Sequence, residues 1–295
     1  MFRGLIALCF VGAVIATPVV KRTKEEIQAF RSFLESTKTN DGSQFILRSL
    51  NTPTANAEEI SGKYQGDIVL DDETIEDMIR EYAMGRNAYT YPGTKWPEAT
   101  VIWEYASDDE FDDIHKEAIM EGIRHIENST CVRFRYREPE DKAYVSLTGL
   151  PNGCYAHVGY SEERGRHTMN LALNTPGVGC FRHGTIVHEF MHIIGFFHMQ
   201  STHDRDDYVR IVEENIIPGM EHNFFIYSSD LVDNLEIEYD YVSCLHYSSK
   251  AFSVNGEDTI VALKEHEGVM GQRVFITDKD WLRINRHYQC EGAWD

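Results

Sequence analysis

The sequence predicts an α+β domain over residues 96 to 290, and three observations carry that prediction. Strand-type alternation recurs in short segments through the first half of this stretch, helical spacing interrupts it, and regular patterns thin out after residue 198. The strands are read at 100–107 (TVIWEYAS), 131–138 (CVRFRYRE), 143–150 (AYVSLTGL), 154–160 (CYAHVGY) and 167–173 (HTMNLAL). Between the first two, residues 108–128 carry apolar side chains at the 3.6-residue period of a long helix. A second helix starts near Thr185. A last one is capped by Thr277, a good N-cap residue, and ends near Cys290.

Upstream the organisation differs. In residues 1–16, Arg3 precedes an apolar run from Leu5 to Ala16, and Val14 with Ala16 suits the small-residue rule of signal peptidase. That run is too short to span a bilayer, so a removed signal peptide and a secreted protein are expected. Residues 17–86 read as an appendage: two helical patterns, around 24–35 and 71–84, flank a polar stretch that includes NTPTANAEEISGKYQGD. The pattern changes at Gly85-Arg86-Asn87, where an arginine among small and polar residues offers a trypsin-like processing site.

The formal net charge is −20, from 28 Lys+Arg against 48 Asp+Glu. Such a surface repels phosphate backbones and anionic lipid, which argues against nucleic-acid and membrane-surface binding. Once Cys9 leaves with the signal peptide, Cys131, Cys154, Cys180, Cys244 and Cys290 remain in an oxidising compartment, giving two disulfides and one leftover thiol. Asn128-Ser129-Thr130 is a sequon for N-glycosylation.

The stretch HEFMHIIGFFH, residues 188–198, combines apolar character with three histidines. On a helix His188 and His192 lie one turn apart on one face, with a rise of about 6 Å between them, so their imidazoles can share a cation. Gly195 can adopt positive φ and end the helix, which lets the chain turn back and bring His198 to the same ion. A continued helix would carry His198 about 15 Å beyond His188. Three neutral imidazoles with one open position are what catalytic Zn²⁺ takes, and Glu189 beside the first ligand is placed to act as general base toward an activated water.

HEFMHIIGFFH followed by QSTHDRDDYV, with YDYVSCLHYSSKAFS downstream, resembles the astacin family of secreted zinc endopeptidases within the metzincin clan. KYQGDIVL in the appendage resembles the family's propeptide segment. The resemblance implies a metzincin-type fold: an N-terminal twisted, mostly parallel five-stranded sheet with two long helices, an irregular C-terminal subdomain, and a cleft between them. It divides the chain into a signal peptide (1–16), a propeptide (17–86) and a minimal, single-domain catalytic part (87–295). It implies one Zn²⁺ on His188, His192 and His198, Glu189 as base, Tyr247 as switchable fifth ligand, and Asp67 on the metal in the zymogen. It also implies the disulfides Cys131–Cys290 and Cys154–Cys180. A secreted monomer, activated by a trypsin-like protease and hydrolysing protein or peptide substrates, is the expected function. The strand GCYAHVG is the expected cleft edge, to which an extended peptide can add by main-chain hydrogen bonds.

Several positions depart from the family pattern. Leu245 stands where a methionine underlies the zinc, a swap of similar volume that costs under about 1.5 kcal/mol in most cores. Met199 replaces the glutamate that holds the mature N-terminus, and a thioether cannot bind an ammonium group. Thr202 and His203 replace an Arg-Pro pair, with His203 expected in a surface loop. Cys244 is the odd thiol, either a small buried hydrophobe or a reactive group. These departures motivate a rival reading, a catalytically impaired extracellular binding protein on the same scaffold. Retention of Glu189 and all three ligands weighs against it.

Overall fold

The computed structural model describes residues 22–39, 57–83, 95–227 and 233–295; the expected signal peptide and the processing site at Arg86 and Asn87 lie outside them. Among the described residues, five helices of two turns or more form: α1 Lys24–Thr39, α2 Asp72–Ala83, α3 Asp113–Ser129, α4 His183–Ile193 and α5 Asp278–His287. Local capping fixes the start of two of them. Asp112 caps α3 by accepting from the backbone N–H groups of Ile114 and His115, and Thr277 with Asp280 forms a capping box at the start of α5. The latter is the cap expected from the sequence.

The strands are β1 Ile68–Val69, β2 Thr100–Tyr105, β3 Arg133–Tyr136, β4 Tyr144–Thr148, β5 Cys154–His157 and β6 Arg166–Leu171, in sheet order β1-β5-β6-β4-β2-β3. β2 pairs in parallel with β3 and β4, and β4 with β6, while β5 runs antiparallel to β6. These five are the mostly parallel sheet that was expected. The sixth strand was not: β1 comes from the appendage and pairs in parallel with β5, Ile68 opposite Ala156 and Val69 opposite His157. A two-residue strand carries no periodicity, so only the open edge of β5 induces it.

Helices α3 and α4 pack on each other and on the sheet around one apolar core that includes Trp103, Ile119, Ile123, Val145, Leu147, Ile186 and Phe190. A second cluster, with Met199, Tyr239, Tyr247 and Phe252, belongs to the irregular C-terminal part, where β7 Val209–Ile211 and β8 Ile260–Ala262 make a short antiparallel pair. The third cluster belongs to the appendage. Phe30 and Leu34 of α1 meet Ile75, Met78, Ile79 and Tyr82 of α2, the apolar faces that helical spacing marks, and Val158 and Tyr227 join them to the main body. Disulfides Cys131–Cys290 and Cys154–Cys180 are both formed, and Cys244 is a buried free thiol.

Candidate metal centre

Every residue of α4 from Gly184 to Ile193 is buried, so His188 and His192 face protein on all sides. The helix stops where glycine allows it. Ile194 caps the end, Gly195 adopts φ +111°, and the Gly195 N–H donates to His192 O at 2.8 Å. The chain then returns. The His198 ring lies with its centroid 4.8 Å from that of His192 and 5.5 Å from that of His188, and His188 and His192 are 4.6 Å apart.

Asp67, from the turn that precedes β1, completes the group. One carboxylate oxygen lies 3.0 Å from His188 Nε2 and 3.2 Å from His198 Nε2, and the other lies 3.6 Å from His192 Nε2. All four candidate ligand atoms fall within 4.8 Å of one another, and all four side chains are buried. Three imidazole nitrogens and one carboxylate oxygen, all buried, are the donor set and coordination number that Zn²⁺ prefers. The outer nitrogens are fixed as well: His188 Nδ1 lies 2.6 Å from Cys244 O and His192 Nδ1 lies 2.7 Å from Phe196 O, contacts that leave each Nε2 lone pair for a cation.

Electrostatics agree with this assignment. Burial lowers the basicity of His188, and it takes that of His198 down to about 4, so both rings are neutral ligands at physiological pH. Burial opposes charge on Asp67, but the surrounding histidines, His198 first, outweigh it and hold the carboxyl well below its usual range. Glu189 is the opposite case. Burial and then the charge of Asp67 push its acid well above the carboxylate range, and neither of its oxygens has a hydrogen-bond partner.

Residues 88–289 match the family model described as Astacin, a peptidase family. The chain belongs to the astacin family. Among relatives of this astacin, zinc metalloproteinase nas-4 of Caenorhabditis elegans is 31% identical over 99% of this chain and 91% of its own length. Zinc metalloproteinase nas-14 of the same organism is 34% identical over 92% of this chain, which spans 50% of that relative, and human meprin A subunit beta is 35% identical over 78% of this chain, with 30% of its own length spanned. High choriolytic enzyme 1, a hatching enzyme zinc-protease from Oryzias latipes, superposes with a TM-score of 0.59 at 32% identity, covering 67% of this chain and 94% of that one. The chain thus has the α+β fold of a family of zinc metallopeptidases, with a group of residues that fits a single zinc.

Other sequence-predicted residues fall as follows. Tyr247 is buried with its ring centroid 4.7 Å from that of His198, but its hydroxyl donates to Gln65 O at 2.5 Å, on the appendage. Leu245 is buried in the main core, and its carbonyl accepts from Met199 N–H at 3.1 Å. Met199 itself is 4% exposed, packed in the C-terminal apolar cluster. His203 is exposed and outside the four-residue group, as its loop position suggested. Cys244 behaves as a buried hydrophobe: burial pushes its thiol well above the ordinary range, and its Sγ lies 3.3 Å from Met191 Sδ. Asn128 is exposed one residue before the end of α3.

Sequence reasoning missed the other contacts that seat the appendage. Glu58 forms a fully buried ion pair with Arg273, Glu59 accepts from the Ser248 hydroxyl at 3.0 Å, and Asp71 pairs with Arg164 at 2.8 Å. The only signal was a scatter of acidic residues in the appendage, and nothing local links Glu58 or Asp71 to arginines so far along the chain. Gln65, within KYQGDIVL, carries no such signal either.

Proposed function

We propose that this astacin is a secreted zinc endopeptidase made as a zymogen, with residues 1–16 a signal peptide, 17–86 a propeptide and 87–295 the catalytic part. The observation that carries this reading is Asp67: a carboxylate from a segment upstream of the family match lies among the three histidines. There it takes the position a water or substrate needs. Strand β1 adds to the same effect, because it uses main-chain groups of the β5 edge that an extended substrate would pair with.

Zinc, when bound to His188, His192 and His198, supplies Lewis-acid chemistry that polarises a peptide carbonyl and makes a water acidic near neutral pH. Glu189, adjacent in sequence to His188, takes a proton from the attacking water and delivers it to the amine nitrogen as the C–N bond breaks. Departure of the propeptide removes the charges of Asp67 and Glu58, two of the three causes that raise the Glu189 acid, so the base forms when the site opens. Tyr247, released from Gln65 O with the propeptide, serves as fifth ligand or turns to donate to the substrate oxyanion, a contribution of about 2.7–4 kcal/mol at comparable sites. A trypsin-like cut at Arg86, a glycan on Asn128, a monomeric state and protein or peptide substrates complete the proposal.

The test is Asp67→Ala in the intact precursor. Cleavage of a small fluorogenic peptide before processing, abolished by a zinc chelator, is the expected result, and a silent precursor argues against Asp67 as the latch. A processed, zinc-loaded wild type that leaves casein intact would instead favour the binding-protein reading.

A further inference from the structure

His188 and His192 donate their outer Nδ1–H groups to backbone carbonyls of the catalytic part, Cys244 and Phe196. The third ligand does not. His198 Nδ1 lies 3.0 Å from Gln65 Oε1, a side chain of the appendage. Gln65 is fully buried and makes three further hydrogen bonds to the main body: its N–H donates to Asn223 Oδ1 at 2.9 Å, its Nε2 donates to Ser201 Oγ at 3.2 Å, and its carbonyl accepts from the Tyr247 hydroxyl. Its backbone is held at φ +49°, a left-handed conformation that a residue with a side chain keeps only when its surroundings over-determine it. Gly66 follows at φ +90°, and a Cβ there would lie 3.0 Å from Glu58 O, so the turn has little room to relax.

A metal on Nε2 needs that lone pair, which places the His198 proton on Nδ1, and Gln65 Oε1 is the acceptor that holds it there. We propose that Gln65 is a positioning residue for zinc in the precursor. It sets the tautomer and orientation of His198, so the appendage tightens metal binding through Gln65 as well as through Asp67. Its removal strips the third ligand of its outer partner and frees the Tyr247 hydroxyl in one step. This inference rests on the propeptide reading above.

Zinc affinity of the intact precursor, measured by competition with a chromophoric chelator, tests it without reference to turnover. Gln65→Leu, which keeps the volume and removes the acceptor, is expected to weaken binding about 10- to 100-fold, the usual effect of deleting an outer-shell partner. Gln65→Glu, which restores an acceptor, should stay within about threefold of wild type. Gln65→Ala replaces the leucine variant if circular dichroism shows that the latter does not fold. Wild-type affinity in Gln65→Leu alongside weakened binding in Asp67→Ala overturns the role of Gln65 and leaves the propeptide at the metal. Equal weakening in the Leu and Glu variants reduces Gln65 to a structural part of the turn and also overturns the proposal. Unchanged affinity in both Gln65→Leu and Asp67→Ala means that the propeptide does not engage the metal, and the zymogen reading fails with it.

Discussion

Glu189 is a buried acid with no hydrogen-bond partner for either oxygen. Such a group costs stability, and active sites are where proteins keep that cost. Glu189→Gln should therefore fold and retain zinc, because the three histidines are untouched, while kcat falls about 10²- to 10⁴-fold with the loss of proton transfer. Metal analysis beside a fluorogenic peptide assay checks both halves, and full activity in a zinc-loaded mutant defeats the mechanism. Leu245→Met belongs to the same scale. The side chain is buried in the main core, the volumes are close, and stability by urea titration should change by less than about 1.5 kcal/mol.

At the scale of elements, the appendage is seated by carboxylates whose titrations run in opposite directions. For Asp71, burial favours the neutral acid, but the charge of Arg164 and the hydrogen bonds from Thr74 outweigh it and lower the pKa to about 2. A depressed acid stabilises the folded state above its unfolded pKa, and that contribution is lost as pH falls from about 4 to about 2. Glu59 is raised to about 7 by burial and by the charge of Glu58. Its contribution is present below about pH 4.5 and is lost as pH rises to about 7. Thermal melts of the zinc-loaded precursor should show this by difference. Glu59→Gln gains on wild type between about pH 4.5 and 7 and then levels, while Asp71→Asn loses to wild type increasingly from about pH 2 to 4. A pH-independent difference in either pair removes that residue from the linkage.

For the whole molecule, the two disulfides close loops of very different size. Cys131–Cys290 spans a sequence separation of 159 and ties α5 to the start of β3, whereas Cys154–Cys180 spans 26. The chain-entropy model assigns them about 5 and about 3.5 kcal/mol respectively. Replacing both cysteines of the first pair by serine should lower the urea midpoint more than doing so for the second, and the reverse order would show that strain or residual denatured structure dominates. No helix among the described residues is long and apolar enough to cross a membrane.

What the sequence determined by itself is what local chemistry encodes. The 3.6-residue spacing that made α3 amphipathic, the cap at Thr277, the five catalytic strands and the one-turn spacing of His188 and His192 all depend on neighbours within a few residues. So did the return of His198, because Gly195 alone permits the turn. The pairing of five cysteines was different: spacing left it open, and it came with the family resemblance. The tertiary structure decided everything that joins distant parts of the chain: Gln65 as outer partner of His198, the parking of the Tyr247 hydroxyl, the buried Glu58–Arg273 pair, and strand β1 on the edge of β5. These contacts have no periodicity and no fixed spacing. They exist because a folded cleft presents unpaired main-chain groups, cations and imidazoles, and one upstream segment folds over it and satisfies them together.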